Sequence, residues 1–258
     1  MTRKGKIHIG CSGWNYQHWR GRFYPEEQTP EQWFGFYASV FDTVEINNTF
    51  YRLPAAHTFE AWRAQAPDGF IYAVKANRYL THLKKLKEAG RPLKKFLDRA
   101  RLLDEHLGPI LYQLPPRWRL NLERLESFLD LLPEDLRHVF EFRDQSWMVE
   151  EVFELLDERG VSFCAHDMPG PDDLDAPRLA VGPIAYARLH GAKEKYRGGY
   201  PEPTLRSWQR WMEGQVESGK DLYVYFNNDA EAHAVHDARR LARKVGLPAR
   251  RLNRTKQD

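Results

Sequence analysis

The sequence predicts an α/β fold, a single (β/α)₈ TIM-type barrel with a long irregular loop after strand 6. Eight short β-rich runs alternate with longer helical patterns, which predicts parallel strands joined by crossovers. The chain's 258 residues match the roughly 250 that one such barrel needs. The competing doubly wound sheet should open with GxGxxG after its first strand. Here that strand runs into Gly10-Cys11-Ser12-Gly13-Trp14, with large Trp14 and Tyr16 where a phosphate would need small residues. No GxxxxGK[ST] occurs either.

The expected strands are Ile7–Cys11, Thr43–Asn47, Phe70–Lys75, Ile110–Gln113, His138–Arg143, Val161–His166, Ile184–His190 and Leu222–Asn227. Helices are expected over Pro30–Ser39, Thr58–Ala66, Leu93–Leu107, Leu122–Leu132, Val149–Arg159, Thr204–Ser218 and Ala230–Val245. The first is announced by a capping threonine, Thr29, ahead of Pro30. In the third, Leu93, Phe96, Leu97, Ala100, Leu103 and Leu107 form one stripe, with Lys94, Lys95, Asp98, Arg101 and Asp104 off it. Gly108, Gly160 and Gly246 stand where helices should stop. The run from Met168 to Pro183, rich in Pro, Gly and Asp, carries no helical pattern and is read as the loop that replaces the sixth helix. No linker composition interrupts the chain. Residues 1–258 are read as one domain, with a core of about 7–245 and a basic tail over 246–258.

Composition excludes several classes. Apolar residues make up 42% and aromatics 13%, too many for a disordered chain. Two cysteines, Cys11 and Cys164, build neither a disulfide scaffold nor a zinc ribbon. No run approaches the roughly 20 apolar residues of a membrane span, and residues 1–9 carry no apolar signal segment, so a cytoplasmic, reduced protein is expected. With 39 Lys and Arg against 36 Asp and Glu, the net charge of +3 says little by itself about partners.

In such barrels chemistry sits at the C-terminal strand ends, which are unusually polar here. Strand alternation puts Glu45 with Asn47, Glu141 with Arg143, and Arg188 with His190 on common faces, while Ile46, Phe142 and Leu189 point the other way. Lys75 continues the face of Ile71 and Ala73. The resulting cup holds two carboxylates, three cations, a histidine and amides. Pairing such charges for stability alone is inefficient, because desolvation costs several kcal/mol per ion. The catalytic candidates are therefore Glu141, Lys75, His190 and Glu45. Arg143, Arg188, Asn47, Asn227, Asn228, Asp167 and Gln113 are candidates for substrate binding, with Trp14 and Trp147 as stacking surfaces.

Seven segments, in chain order, resemble the YecE-like family, domain of unknown function 72. They are Gly10-Cys11-Ser12-Gly13-Trp14; Phe23-Tyr24-Pro25; Val44-Glu45-Ile46-Asn47 with Phe50-Tyr51; Val74-Lys75 with Thr81-His82; Glu141-Phe142-Arg143 with Trp147; Arg188-Leu189-His190-Gly191; and Tyr225-Phe226-Asn227-Asn228. The resemblance covers about residues 7 to 245. It implies a TIM-type barrel and supplies no established reaction.

Three functions compete. The first is metal-independent acid–base chemistry, hydrolase- or lyase-like, on an anionic small molecule carrying phosphate or carboxylate, with Arg suited to bidentate contact. The second is a divalent-metal site, of phosphodiesterase or isomerase type, from Glu45, Glu141, Asp167 and His166 or His190; no HxH or HExxH spacing supports it. The third is nucleic-acid binding through basic patches at 78–101 and 239–256. No cofactor is favoured, and neither the sequence pattern nor the charge sets an oligomeric state.

Overall fold

The computed structural model describes residues 3–168, 174–175, 178–191 and 196–247. Eight parallel strands close into a barrel: β1 (Ile7–Ser12), β2 (Thr43–Ile46), β3 (Ile71–Lys75), β4 (Leu107–Gln113), β5 (His138–Glu141), β6 (Ser162–Met168), β8 (Ile184–Leu189) and β9 (Asp221–Phe226). The order is β5-β4-β3-β2-β1-β9-β8-β6, and pairing of β5 with β6 closes the ring. β7 (Leu174–Asp175) is a two-residue addition that runs antiparallel to the end of β6, with Asp167 opposite Asp175 and Met168 opposite Leu174.

Helices α1 (Pro30–Val40), α2 (Asn48–Tyr51), α3 (Ala56–Gln65), α4 (Gly90–Ala100), α5 (Leu122–Leu129), α6 (Glu150–Glu158), α7 (Glu202–Glu217) and α8 (His233–Lys244) connect the strands. The start of α1 follows its sequence signal. Pro30 fills the first turn, and the Thr29 amide donates to Gln32 Oε1 at 2.9 Å.

Several boundaries move for identifiable reasons. The helix expected over 93–107 ends as α4 at Ala100 and passes through a 3₁₀ segment, Arg101–His106, into β4. Gly108 therefore lies inside a strand and does not stop a helix. A Cβ there would come within 2.4 Å of Ile71 Cγ2 and 3.0 Å of Tyr72 O, so its missing side chain is what lets β3 approach. β2 ends at Ile46, and Asn47 instead precedes the short α2, which periodicity did not reveal. Beyond β6, the described part of the expected loop contains β7 and no helix; residues 169–173 and 176–177 lie outside the described residues, as does the tail from 248 onward.

Two apolar layers sandwich the strands. The barrel lumen is filled by Ile71, Ala73, Leu111, Val139, Cys164, Ile184, Tyr186, Tyr223 and Tyr225. The alternate residues, among them Val44, Ile46, Val74, Phe140, Phe163 and Leu189, face outward into the larger core under the helices. Both cysteines are buried free thiols. The lumen tyrosines carry hydroxyls that must be matched inside. Tyr225 OH lies 2.6 Å from Thr43 Oγ1, Tyr223 OH accepts from Arg137 Nη1 at 2.6 Å, and Tyr186 OH donates to Glu45 Oε2 at 2.6 Å. This packing fills the barrel from its base to the level of Glu45. Polar chemistry is thereby confined to the C-terminal end.

Candidate active site

The lumen series leads directly into the site. Two residues beyond Ala73 stands Lys75, beyond Val139 stands Glu141, beyond Cys164 stands His166, and beyond Tyr186 stand Arg188 and then His190. Period-two geometry points each of them into the cup, on top of an apolar and tyrosine floor.

Arg188 is the hub. Its Nε and Nη2 donate to Glu45 Oε1 at 3.2 and 2.8 Å, and its Nη1 donates to Glu141 Oε2 at 2.7 Å. Both carboxylates are fully buried, and Arg188 is 1% exposed. Glu141 also forms an ion pair with Arg143. Burial pushes the Glu141 carboxyl up, but Arg143 and Arg188 outweigh it and hold the group well below the usual carboxylate range. Ser12 bonds to Glu45 and accepts from Asn47 Nδ2 at 2.7 Å.

His190 is fixed as a neutral ring. Its Nε2 faces Arg143 Nη2 at 2.9 Å and Arg188 Nη1 at 3.3 Å, and both guanidinium groups can only donate. Its Nδ1 lies 3.1 Å from Asp167 O, so Nδ1 carries the proton. Burial, Arg143 and Arg188 all disfavour a second proton, and its pKa lies well below the ordinary histidine value. His166 donates from Nε2 to Phe142 O at 2.9 Å and is lowered to about 4 by burial and Arg143.

Lys75 sits at the edge of the cluster, 8% exposed. It donates to Gln113 Oε1 at 2.6 Å and lies 4.3 Å from the centre of the Phe50 ring. Among the described residues it has no carboxylate in ion-pair contact. Burial first, and then Arg188, lower its pKa from 10.5 to about 7. Unspent hydrogen-bonding capacity gathers around these groups. Asn47 Oδ1, Arg143 Nε and His166 Nδ1 are buried without a hydrogen-bond partner among the described residues.

Some of the sequence candidates stand elsewhere. Asp167 is turned away from the cup and accepts from Tyr200 OH, at 2.9 and 2.8 Å, and from the His190 amide at 2.8 Å. Burial raises its carboxyl from 3.8 to about 7. Its part is to orient His190. Asn228 donates to Gly198 O and Asp237 Oδ2, a clamp on α8, because the chain has left the strand by that point. Asn227 is half-buried at the rim.

The two tryptophans differ: Trp14 is half-buried against the core and Trp147 is fully enclosed. Trp14 meets Phe34 and Trp62 edge-on. Trp147, in a 3₁₀ turn, stacks on Phe142 at 4.9 Å, donates to Trp118 O and is fully buried, so it offers no face to a ligand. Trp147→Ala is therefore expected to cost about 3–5 kcal/mol in a urea titration. Trp147→Phe should leave anion binding at the cup unchanged; a selective loss of binding would return the ring to the ligand site.

Two members were missed. Ser12 follows His8 and Gly10 on the inward face of β1, and Tyr186 precedes Arg188 by two, so the same alternation would have found both. Among the described residues, no group of three or more His, Cys, Asp or Glu is arranged to hold a metal ion. Glu45 and Glu141 are engaged by arginine, and Asp167 is engaged outside the cup.

The fold and the site together define a parallel eight-stranded barrel protein whose C-terminal mouth is a cation-rich polar cup. A family model described as "Protein of unknown function DUF72" matches residues 8–258. The chain belongs to the DUF72 family. It is 22% identical to the UPF0759 protein YunF of Bacillus subtilis (strain 168), over 96% of this chain and 99% of that one. It is also similar to the crystal structure of a DUF72 family protein from Thermotoga maritima, with a TM-score of 0.83, 27% identity and coverage of 92% and 98%. A DUF72 family protein from Enterococcus faecalis superposes with a TM-score of 0.81 at 17% identity, covering 94% and 96% of the two chains. Among the described residues no helix is long and apolar enough to cross a membrane.

Proposed function

We propose that the protein is a barrel enzyme performing metal-independent acid–base chemistry on an anionic small molecule bearing phosphate or carboxylate, held at the C-terminal mouth. The observation that carries this reading is Lys75, a buried amine at the rim of the cup with no partner carboxylate among the described residues and a pKa near 7. An amine poised at neutrality takes or gives a proton with little driving-force penalty. Glu141 and Glu45, the carboxylates expected to act as acid or base, serve a different end. Bound to Arg188, they hold its guanidinium in place, and Glu141 does the same for Arg143. Arg143 Nε and Asn47 Oδ1 supply a donor and an acceptor for the ligand's polar groups. His190, neutral and oriented through Asp167, keeps the two guanidinium groups apart without adding a third charge.

The test follows the Lys75 Cε signal by carbon NMR in protein labelled with ¹³C-lysine, assigned by its absence in Lys75→Met, from about pH 5 to about pH 10. A midpoint near 7 is expected, moving upward when sulfate is added, because an anion that prefers the ammonium must raise its pKa by linkage. Sulfate keeps a constant charge over this range. A midpoint near the ordinary lysine value, or one that sulfate leaves in place, would refute the reading.

A further inference from the structure

A second depression lies on the same end of the barrel, outside the cup. It encloses about 450 Å³ between the segments that follow β2 and β3 and the start of α4. Tyr51 and Tyr79, 71% and 44% exposed, stand on it with Arg52, Arg91 and Lys95, over an apolar floor that includes Phe96. No acidic side chain is among its described lining residues.

The state of the three cations is informative. Three neighbouring basic residues are neutralised locally: Lys94 by Asp98, Lys84 by Glu88 and Arg101 by Asp135. Among the described residues, the side chains of Arg52, Arg91 and Lys95 make no ion pair or hydrogen bond. Arg91 and Lys95 are four apart, which puts both on one face of α4. Arg91 also lies in the first turn of that eleven-residue helix, where free amides and the helix dipole add positive potential. Arg78, Lys85 and Arg99 also make no ion pair among the described residues but stand outside the groove's lining, so the groove is where three such cations meet exposed aromatic rings. Two tyrosine rings exposed this far lose apolar contact to water unless a flat partner covers them.

We propose that this groove binds a free nucleotide, with its phosphates on Arg52, Arg91 and Lys95 and its base against Tyr51 and Tyr79. The volume falls within the range for small-ligand sites and is suited to one base with its sugar and phosphates. Neither half of the lining explains the other's ligand alone. Three cations would suit any phosphate, and paired tyrosines would suit any planar ring, so their juxtaposition selects a molecule carrying both. The site is separate from the cup: the Phe50 ring stands between them, 4.3 Å from Lys75 Nζ and 5.2 Å from the Tyr51 ring. It stands independently of the acid–base reading.

Isothermal titration with ADP, adenosine, pyrophosphate and a ten-nucleotide oligothymidylate at about 50 mM salt tests it. ADP should bind, with adenosine and pyrophosphate each about tenfold weaker or more. Arg91→Glu combined with Lys95→Glu, both exposed changes that leave the core intact, should weaken ADP at least about tenfold. Tyr79→Ala should weaken it about fivefold or more. Lys75→Met should leave ADP binding unchanged, so a failed cup and a failed groove give different results. Absent ADP binding, or ADP binding indifferent to the double variant, overturns the proposal. So does oligothymidylate outcompeting ADP, which would make the groove a nucleic-acid site, or pyrophosphate matching ADP, which would make it a simple anion site.

Discussion

Arg188→Met is expected to destabilise the protein by about 3–5 kcal/mol, lowering Tm by on the order of 10 °C. Arg188 is the cation shared by Glu45 and Glu141, both without solvent contact. Without it, Glu45 loses its guanidinium entirely and Glu141 keeps only Arg143. The pH dependence should also weaken. In the parent the folded Glu141 carboxyl is depressed, so its contribution is present above the unfolded value of 4.5 and is lost as pH falls through the lower folded value. In the variant burial is opposed by Arg143 without Arg188, so the Glu141 carboxyl should sit higher than in the parent and the deficit should shrink on acidification as the buried charge is neutralised. Glu45→Gln placed in the Arg188→Met background should recover part of the loss. Urea titrations at pH 5 and pH 7 read both effects. A variant as stable as its parent at pH 7 would show that the carboxylates do not depend on Arg188.

Lys75→Met has the opposite sign. The folded protein releases the Lys75 proton near pH 7 and the unfolded chain near 10.5. Between those values the unfolded state holds more protons, so this group makes stability rise with pH, and below about 7 the full penalty of a buried ammonium is carried. Methionine keeps the length of the side chain and discards the charge. The variant should be more stable than the parent at pH 6, by on the order of a few kcal/mol, with a lead that fades above pH 7 and vanishes near 10.5. Sulfate binding at the cup should fall about a hundredfold or more at pH 6. Gain of stability with loss of binding is the mark of a residue retained for function. If the variant is instead less stable at pH 6, the hydrogen bond to Gln113 outweighs the burial of charge and Lys75 is a structural residue.

Much of this cup was legible because strands alternate with a strict period of two. Glu45, Asn47, Lys75, Glu141, Arg143, Arg188 and His190 were grouped by parity alone, and the structure brings them to one end of the lumen. Parity carries past a strand end as far as Asn47, Arg143 and His190, but no further into a turn. The directions of Asn228 and Trp147, beyond the ends of β9 and β5, are set by turns that hydrophobic pattern does not encode. Asp167 lies within β6 on the outward parity, beside the inward His166, so strand alternation turns its side chain out of the cup. Pairing was also invisible. Nothing in sequence spacing says that Arg188 reaches both carboxylates while Lys75 reaches neither, since that depends on barrel stagger and side-chain length. For the fold, the closing strand pair and the shift of β4 to Leu107 rest on tertiary fit, of which Gly108 was a misread sign.

The two-residue strand β7 leans on Asp167 and Met168, and Asp167 holds the amide and the ring of His190 from the other side. The loop after β6 is thus spliced to the site through one residue's backbone. A change in the chain that pairs with Asp167 and Met168 is expected to reach His190, and through it Arg143 and Arg188, while every residue of the cup stays the same. Under the proposed function, changes in chain length after β6 are expected to alter anion selectivity without a point mutation in the cup itself.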